Sequence, residues 1–165
     1  MRFIALLRAV NVGGTGKLPM DALRALCADA GFENAQTYIA SGNVVFDWAG
    51  TAEDAAEALE ARLQIYAGAP VGVFVRSGAE LEAVLAANPY AEAKGNQLGV
   101  LFVDATPSLE GLAGQADEEI ALGAREIYIH FPSGMGRSKL KLGAMAQGTM
   151  RNLNTVAKLE EMSRR

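Results

Sequence analysis

The residues that could do chemistry are few. The chain has 165 residues with one histidine, His130, and one cysteine, Cys27. Neither stands in a sequence pattern that activates it. His130 has no Asp/Ser or Cys/Ser partners spaced to recruit it, and a structural role on a strand beside Tyr128 is the expectation. Cys27 falls on an apolar helical stripe and reads as core. One His and one Cys do not make a typical zinc site, so no metal is expected. Carboxylates fall in runs such as Glu53, Asp54, Glu57 and Glu60, which read as a solvated helix face. No cofactor motif emerges.

The best functional lead is the stretch Asn11-Val12-Gly13-Gly14-Thr15-Gly16-Lys17. It is predicted to link a strand to a helix, where backbone N–H groups and a helix start hold anions. It is not a Walker A loop, which requires Gly at Asn11 and Ser or Thr at Leu18. The dinucleotide pattern fails too, because Pro19 stands at the third glycine position. A turn whose glycines supply positive φ explains the same residues. A second polar cluster is Ser41-Gly42-Asn43, which reads as a hairpin turn. A third is C-terminal: Ser138 and Lys139, then Thr149, Arg151, Asn152, Asn154 and Thr155. Arg8, near the end of an otherwise apolar strand, requires an acceptor or a bound anion if partly buried.

The elements that position these residues follow from periodicity. Arg2–Val10 reads as a strand, and Leu23, Leu26, Cys27 and Ala30 as a helix opened by Pro19 and stopped by Gly31. Thr37–Ile39 and Val44–Trp48 read as strands. Thr51 with Asp54 opens an alanine-rich helix ending at Gly68. Val71–Val75 reads as a fourth strand. The order β-α-β-β-α-β is the split βαβ, or ferredoxin-like, pattern. In it the first two strands run the same way, which brings the Asn11–Lys17 loop and the Ser41–Asn43 turn to one sheet edge.

Further on, Ser77 and Glu80 form a capping box for a helix stopped at Asn88-Pro89. Gln97–Val103 reads as a strand, and Thr106-Pro107 as the start of a short helix. Glu119–Leu122 and Glu126–Phe131 read as a hairpin. Ser138–Met145 and Asn152–Met162 read as helices. No repeat is visible in the sequence. The fold class is therefore α+β, in two subdomains. The first, over 1–76, is ferredoxin-like with an antiparallel sheet. A connecting helix and linker occupy 77–94. A smaller α+β unit ending in basic helices occupies 95–165.

Composition limits the function classes. Half the residues are hydrophobic and 21% are charged, a globular composition. The net charge of −4 argues against a chain that binds polyanions over its whole surface. The charge is uneven. Between 132 and 165 seven Lys and Arg face two Glu, a balance of +5 that leaves −9 elsewhere. The lone cysteine permits no intrachain disulfide, no apolar run is long enough for a bilayer, and a cytoplasmic protein is expected.

Several strings occur together: Leu6-Leu7-Arg8-Ala9-Val10-Asn11-Val12-Gly13-Gly14; Lys17-Leu18-Pro19-Met20; Tyr38-Ile39-Ala40-Ser41-Gly42-Asn43-Val44-Val45-Phe46; Ser138-Lys139-Leu140; and Thr149-Met150-Arg151-Asn152-Leu153-Asn154-Thr155-Val156-Ala157-Lys158-Leu159. In this order they resemble the bacterial domain-of-unknown-function family 1697, over almost the whole chain. Ala9 stands where that family commonly has Gly, and Leu153 where it commonly has Trp. The resemblance implies two α+β subdomains and no established activity. It marks as a candidate site Arg8, Asn11, Gly13, Gly14, Lys17, Ser41, Gly42, Asn43, Ser138, Lys139, Thr149, Arg151, Asn152, Asn154 and Thr155.

Three functions are compatible with these residues. One is a binding module for an anionic ligand, such as a nucleotide, a phosphorylated metabolite or nucleic acid, held between the Gly-rich loop and the C-terminal segment. The second is an enzyme using the same cluster. The third is a structural or interaction protein whose polar residues only cap and bridge.

Overall fold

The computed structural model describes residues 1–10 and 17–165. The chain forms two compact units, Met1–Glu80 with Leu159–Arg165, and Leu81–Lys158.

The first unit holds β1 (Arg2–Leu7), α1 (Met20–Asp29), β2 (Glu33–Thr37), β3 (Asn43–Asp47), α2 (Ala52–Ala67) and β4 (Val73–Ser77). Its sheet runs β2-β3-β1-β4, and every pairing is antiparallel. This is the split βαβ connectivity that the element order predicts. Alternation on β1 sends Phe3, Ala5 and Leu7 into a core with Leu23 and Cys27 of α1 and Leu59 and Leu63 of α2. Each leucine and phenylalanine among them contributes about 1.5–3 kcal/mol by leaving water. Ile4 and Leu6, on the other face, are buried as well. Phe32 stacks on Phe46, with ring centroids 3.9 Å apart.

Local signals explain the boundaries. Thr51 Oγ1 accepts the Asp54 N–H at 3.1 Å, and Gly68 ends α2 with φ 72°. Ser77 and Glu80 close their capping box with bonds of 3.0 and 3.1 Å, starting α3 (Gly78–Ala86). Strand ends differ from expectation: β1 stops at Leu7, not Val10, since Ala9 has φ 56°. β4 starts two residues late and ends at Ser77. β2 is Glu33–Thr37, not Thr37–Ile39, because Ile39 has φ 51° and belongs to the turn. A polar run serves as β2 because it is an edge strand bonded only to β3.

The second unit holds β5 (Leu98–Phe102), β6 (Glu119–Leu122), β7 (Glu126–His130), β8 (Thr149–Asn152) and the first part of α4 (Leu153–Ser163). Its order, β6-β7-β5-β8, is that of the first sheet with irregular chain replacing the crossover helices. The repeat is topological and leaves no trace in the sequence. Thr106-Pro107 opens no helix, and 104–118 contains none. Ser138–Met145 is not an α-helix either: it runs extended to Leu142 and only then enters a short 3-10 turn, Gly143–Ala146. Leu140 and Leu142 are buried while Lys139 and Lys141 are exposed. That two-residue alternation suits the extended chain, which is tied by reciprocal Ala113–Lys141 backbone bonds of 2.9 and 2.8 Å. Thr149–Asn152, partly assigned to a helix from sequence, is strand β8 paired to β5. The second core gathers Leu101, Ile127, Ile129, Phe131, Leu140 and Leu142.

Three described non-glycine residues, Ala9, Asn34 and Ile39, have left-handed backbone. Ala9 has φ 56°, a left-handed conformation that costs an L-residue about 1–2 kcal/mol. Ala9→Gly is expected to stabilise the protein by about 0.5–1 kcal/mol, after subtracting the greater freedom of glycine in the unfolded chain. Urea denaturation, with an unchanged m-value, checks this.

Candidate functional site

Among the predicted site residues, Asn11, Gly13 and Gly14 lie outside the described residues. The others fall into three groups.

The first is a groove in the first unit. β1 delivers Arg8 just past its end, where the Arg8 N–H donates to the Gly72 carbonyl at 2.8 Å. The aliphatic stem of Arg8 lies against Gly72, where an added Cβ would sit at ordinary contact distance, 3.6 Å from the Arg8 Cβ. Lys17, exposed, enters from the segment leading to α1. Arg8 and Lys17 line a cavity of about 560 Å³ whose walls include Val10, Leu18, Leu63 and Tyr66, with the Pro70–Gly72 turn. None of the lining residues is Asp or Glu. Among the described residues, neither Arg8 nor Lys17 has a side-chain partner, and the Arg8 Nε is buried without a hydrogen bond. Tyr66 was not legible as a site residue. A signal existed, however: it extends the buried stripe Ala55, Leu59, Leu63 of α2 by three residues and remains 49% exposed.

The second group is the β2–β3 turn. As the topology predicts, it lies beside the end of β1: the Leu7 N–H donates to the Gly42 carbonyl at 2.9 Å. The turn's polar groups are turned inward. Asn43 is fully buried, and its Nδ2 donates to the Tyr38 carbonyl at 2.9 Å and to Ser41 Oγ at 3.0 Å. Gly42 has φ 86° and touches Leu7 and Val10. These residues shape the turn.

The third group lies in the second unit and is bonded there. The Ser138 hydroxyl donates to the Glu118 carboxylate, which also accepts the Ala116 N–H at 2.6 Å. Together these hold Glu118 below its ordinary carboxylate range. Lys139, with Arg137, borders a cavity of about 510 Å³ that also holds Asp117 and Glu118. On β8, the buried Arg151 donates to Thr149 Oγ1 at 2.6 Å and to the Met150 carbonyl at 3.0 Å. Burial pulls its guanidinium down to about 10. Asn152 Oδ1 accepts the N–H of Thr155, itself buried, at 2.9 Å, capping α4. Asn154 packs against Gly95, where an added Cβ would meet its Oδ1 at 2.0 Å.

The cysteine lies in the first core and the histidine at the end of β7. Burial pushes the Cys27 thiol up to about 12. His130 Nδ1 lies 3.1 Å from Glu119 across the β6–β7 pair. Among the described residues, no group of three His, Cys, Asp or Glu is placed to hold a metal, and no helix is long and apolar enough to cross a membrane. Arg76, buried on β4 opposite Ile4, was not anticipated.

Comparison with known proteins agrees with this picture of a fold without an assigned chemistry. The chain resembles the solved structure of the conserved bacterial protein SP0830 from Streptococcus pneumoniae, with TM-score 0.80 and 25% identity, over 98% of each chain. No curated protein matches it. The sequence model of the family described as "Protein of unknown function (DUF1697)" matches residues 1–128, which span the whole first sheet, the groove and, in the second sheet, β5, β6 and the start of β7; the chain belongs to that family.

Proposed function

We propose that this protein is a binding module for an anionic small molecule, held in the first unit by Arg8 and Lys17. One observation carries the reading: two cations line a concave groove that contains no carboxylate. Positive charge without a side-chain acceptor among the described residues favours an anion, and the buried Arg8 Nε adds a donor whose pairing is worth about 1–3 kcal/mol. This reading narrows the site expected from sequence. Ser138, Arg151 and Asn152 already serve neighbours in their own unit, so the groove stands without them. A ferredoxin-like first unit, with its loops gathered at one sheet edge, supports such a site. The single buried cysteine fits a cytoplasmic setting.

Isothermal titration at low ionic strength tests the proposal. Inorganic phosphate is expected to bind wild-type protein with an affinity that falls as salt rises. Arg8→Met and Lys17→Met should each weaken binding by about tenfold, as loss of a charge-assisted bond predicts. Lys139→Met, in the second unit, should leave it unchanged. Absence of phosphate binding in low salt, or equal loss in Lys139→Met, would overturn the proposal.

A further inference from the structure

We infer that the ligand of this groove is an amphipathic anion, one acidic head on an apolar body, and not a metal-chelated polyphosphate; the inference rests on the anion-binding reading above. The cations occupy only part of the lining. The rest is Val10, Leu18, Leu63, Pro70 and Val71, closed by the half-exposed ring of Tyr66. A volume of about 560 Å³ lies within the range of drug-sized ligand pockets. A bare phosphate would touch the cations and leave these walls in water. An apolar body seated on them removes that surface from water, the dominant favourable term in association.

The groove is ill suited to a magnesium polyphosphate on the grounds of residue type. Magnesium sites use carboxylates together with substrate phosphates. No lining residue is Asp or Glu, and the sequence of 11–16 contains neither. Two cations, one a rigid guanidinium fork and one a point charge, match a single phosphate or carboxylate head. A chain-like and a ring-like body share this chemistry, and the test separates them.

Wild-type protein would be titrated with inorganic phosphate, magnesium pyrophosphate, octyl phosphate, 1-naphthyl phosphate and 1-octanol. At least one of the two phosphate monoesters is expected to bind ten times or more tighter than inorganic phosphate, and the tighter of the two identifies the body as chain or ring. Octanol should bind far more weakly than octyl phosphate. Tyr66→Ser should weaken the preferred monoester about fivefold and leave inorganic phosphate unaffected. If phosphate or magnesium pyrophosphate binds as tightly as both monoesters, the inference fails while the anion site stands. If octanol matches octyl phosphate, the charge is unused and both readings fail.

Discussion

Gly42→Ala is expected to lower the stability of the protein by about 3 kcal/mol or more, because two separate costs meet at one residue. Gly42 has φ 86°, and an L-residue in the left-handed region is disfavoured by about 1–2 kcal/mol. The added Cβ would also lie 2.7 Å from Val10 Cγ2 and 2.9 Å from Leu7 Cβ. Neither neighbour is the free end of a long side chain. Both are buried where β1 leaves the sheet, so relief requires movement of β1 or of the turn. Overpacking of this kind costs about 1–3 kcal/mol more. Urea unfolding followed by circular dichroism gives the loss directly. A variant within about 0.5 kcal/mol of wild type would show that the turn yields easily and is not fixed by these contacts.

Asn43→Ala is expected to cost about 2–3 kcal/mol and to leave phosphate affinity unchanged in protein that is still folded. The Asn43 side chain is sealed from solvent and donates to two acceptors from one amide, the Tyr38 carbonyl and Ser41 Oγ. Removing the amide takes its donor from two part-buried acceptors and replaces a fully buried, bonded side chain by a methyl, a loss larger than an average hydrogen bond contributes. The pairing of Asn43 with Leu6 on β1 places this loss at the centre of the sheet. Two readouts separate structure from recognition. If Asn43 acts in recognition instead, the variant keeps its denaturation midpoint and loses phosphate binding.

Much of the architecture was legible from local chemistry. The caps at Thr51 and Ser77, the stop at Gly68 and the alternation of Phe3, Ala5 and Leu7 each depend on groups close together in the chain. Where expectation and structure part, a distant partner decides. β2 is polar, and only its bonds to β3 make it a strand. β8, Thr149-Met150-Arg151-Asn152, lies where only a helix from Asn152 was expected, and its pairing with β5 makes it a strand. The segment around Leu140 and Leu142 shows a two-residue alternation, a signal that was present and outweighed by the lure of a helical reading.

The candidate site divides in the same way. The sequence by itself named a pool of fifteen candidate residues for recognising an anion, Arg8 and Lys17 among them on either side of a glycine-rich stretch, with no histidine or cysteine chemistry to compete. It also determined that the Ser41–Asn43 turn comes to the same sheet edge, since strand direction follows from element order. Only the tertiary structure decided how those polar residues are used. Whether an amide or a guanidinium serves its own fold or a ligand depends on which acceptors the folded backbone turns toward it, even where these are near in sequence. Asn43 met the Tyr38 carbonyl and Ser41, Arg151 met Thr149, and Ser138 met Glu118. Arg8 instead lies beside Leu63, Tyr66 and Val71, walls of a groove that offers it no carboxylate.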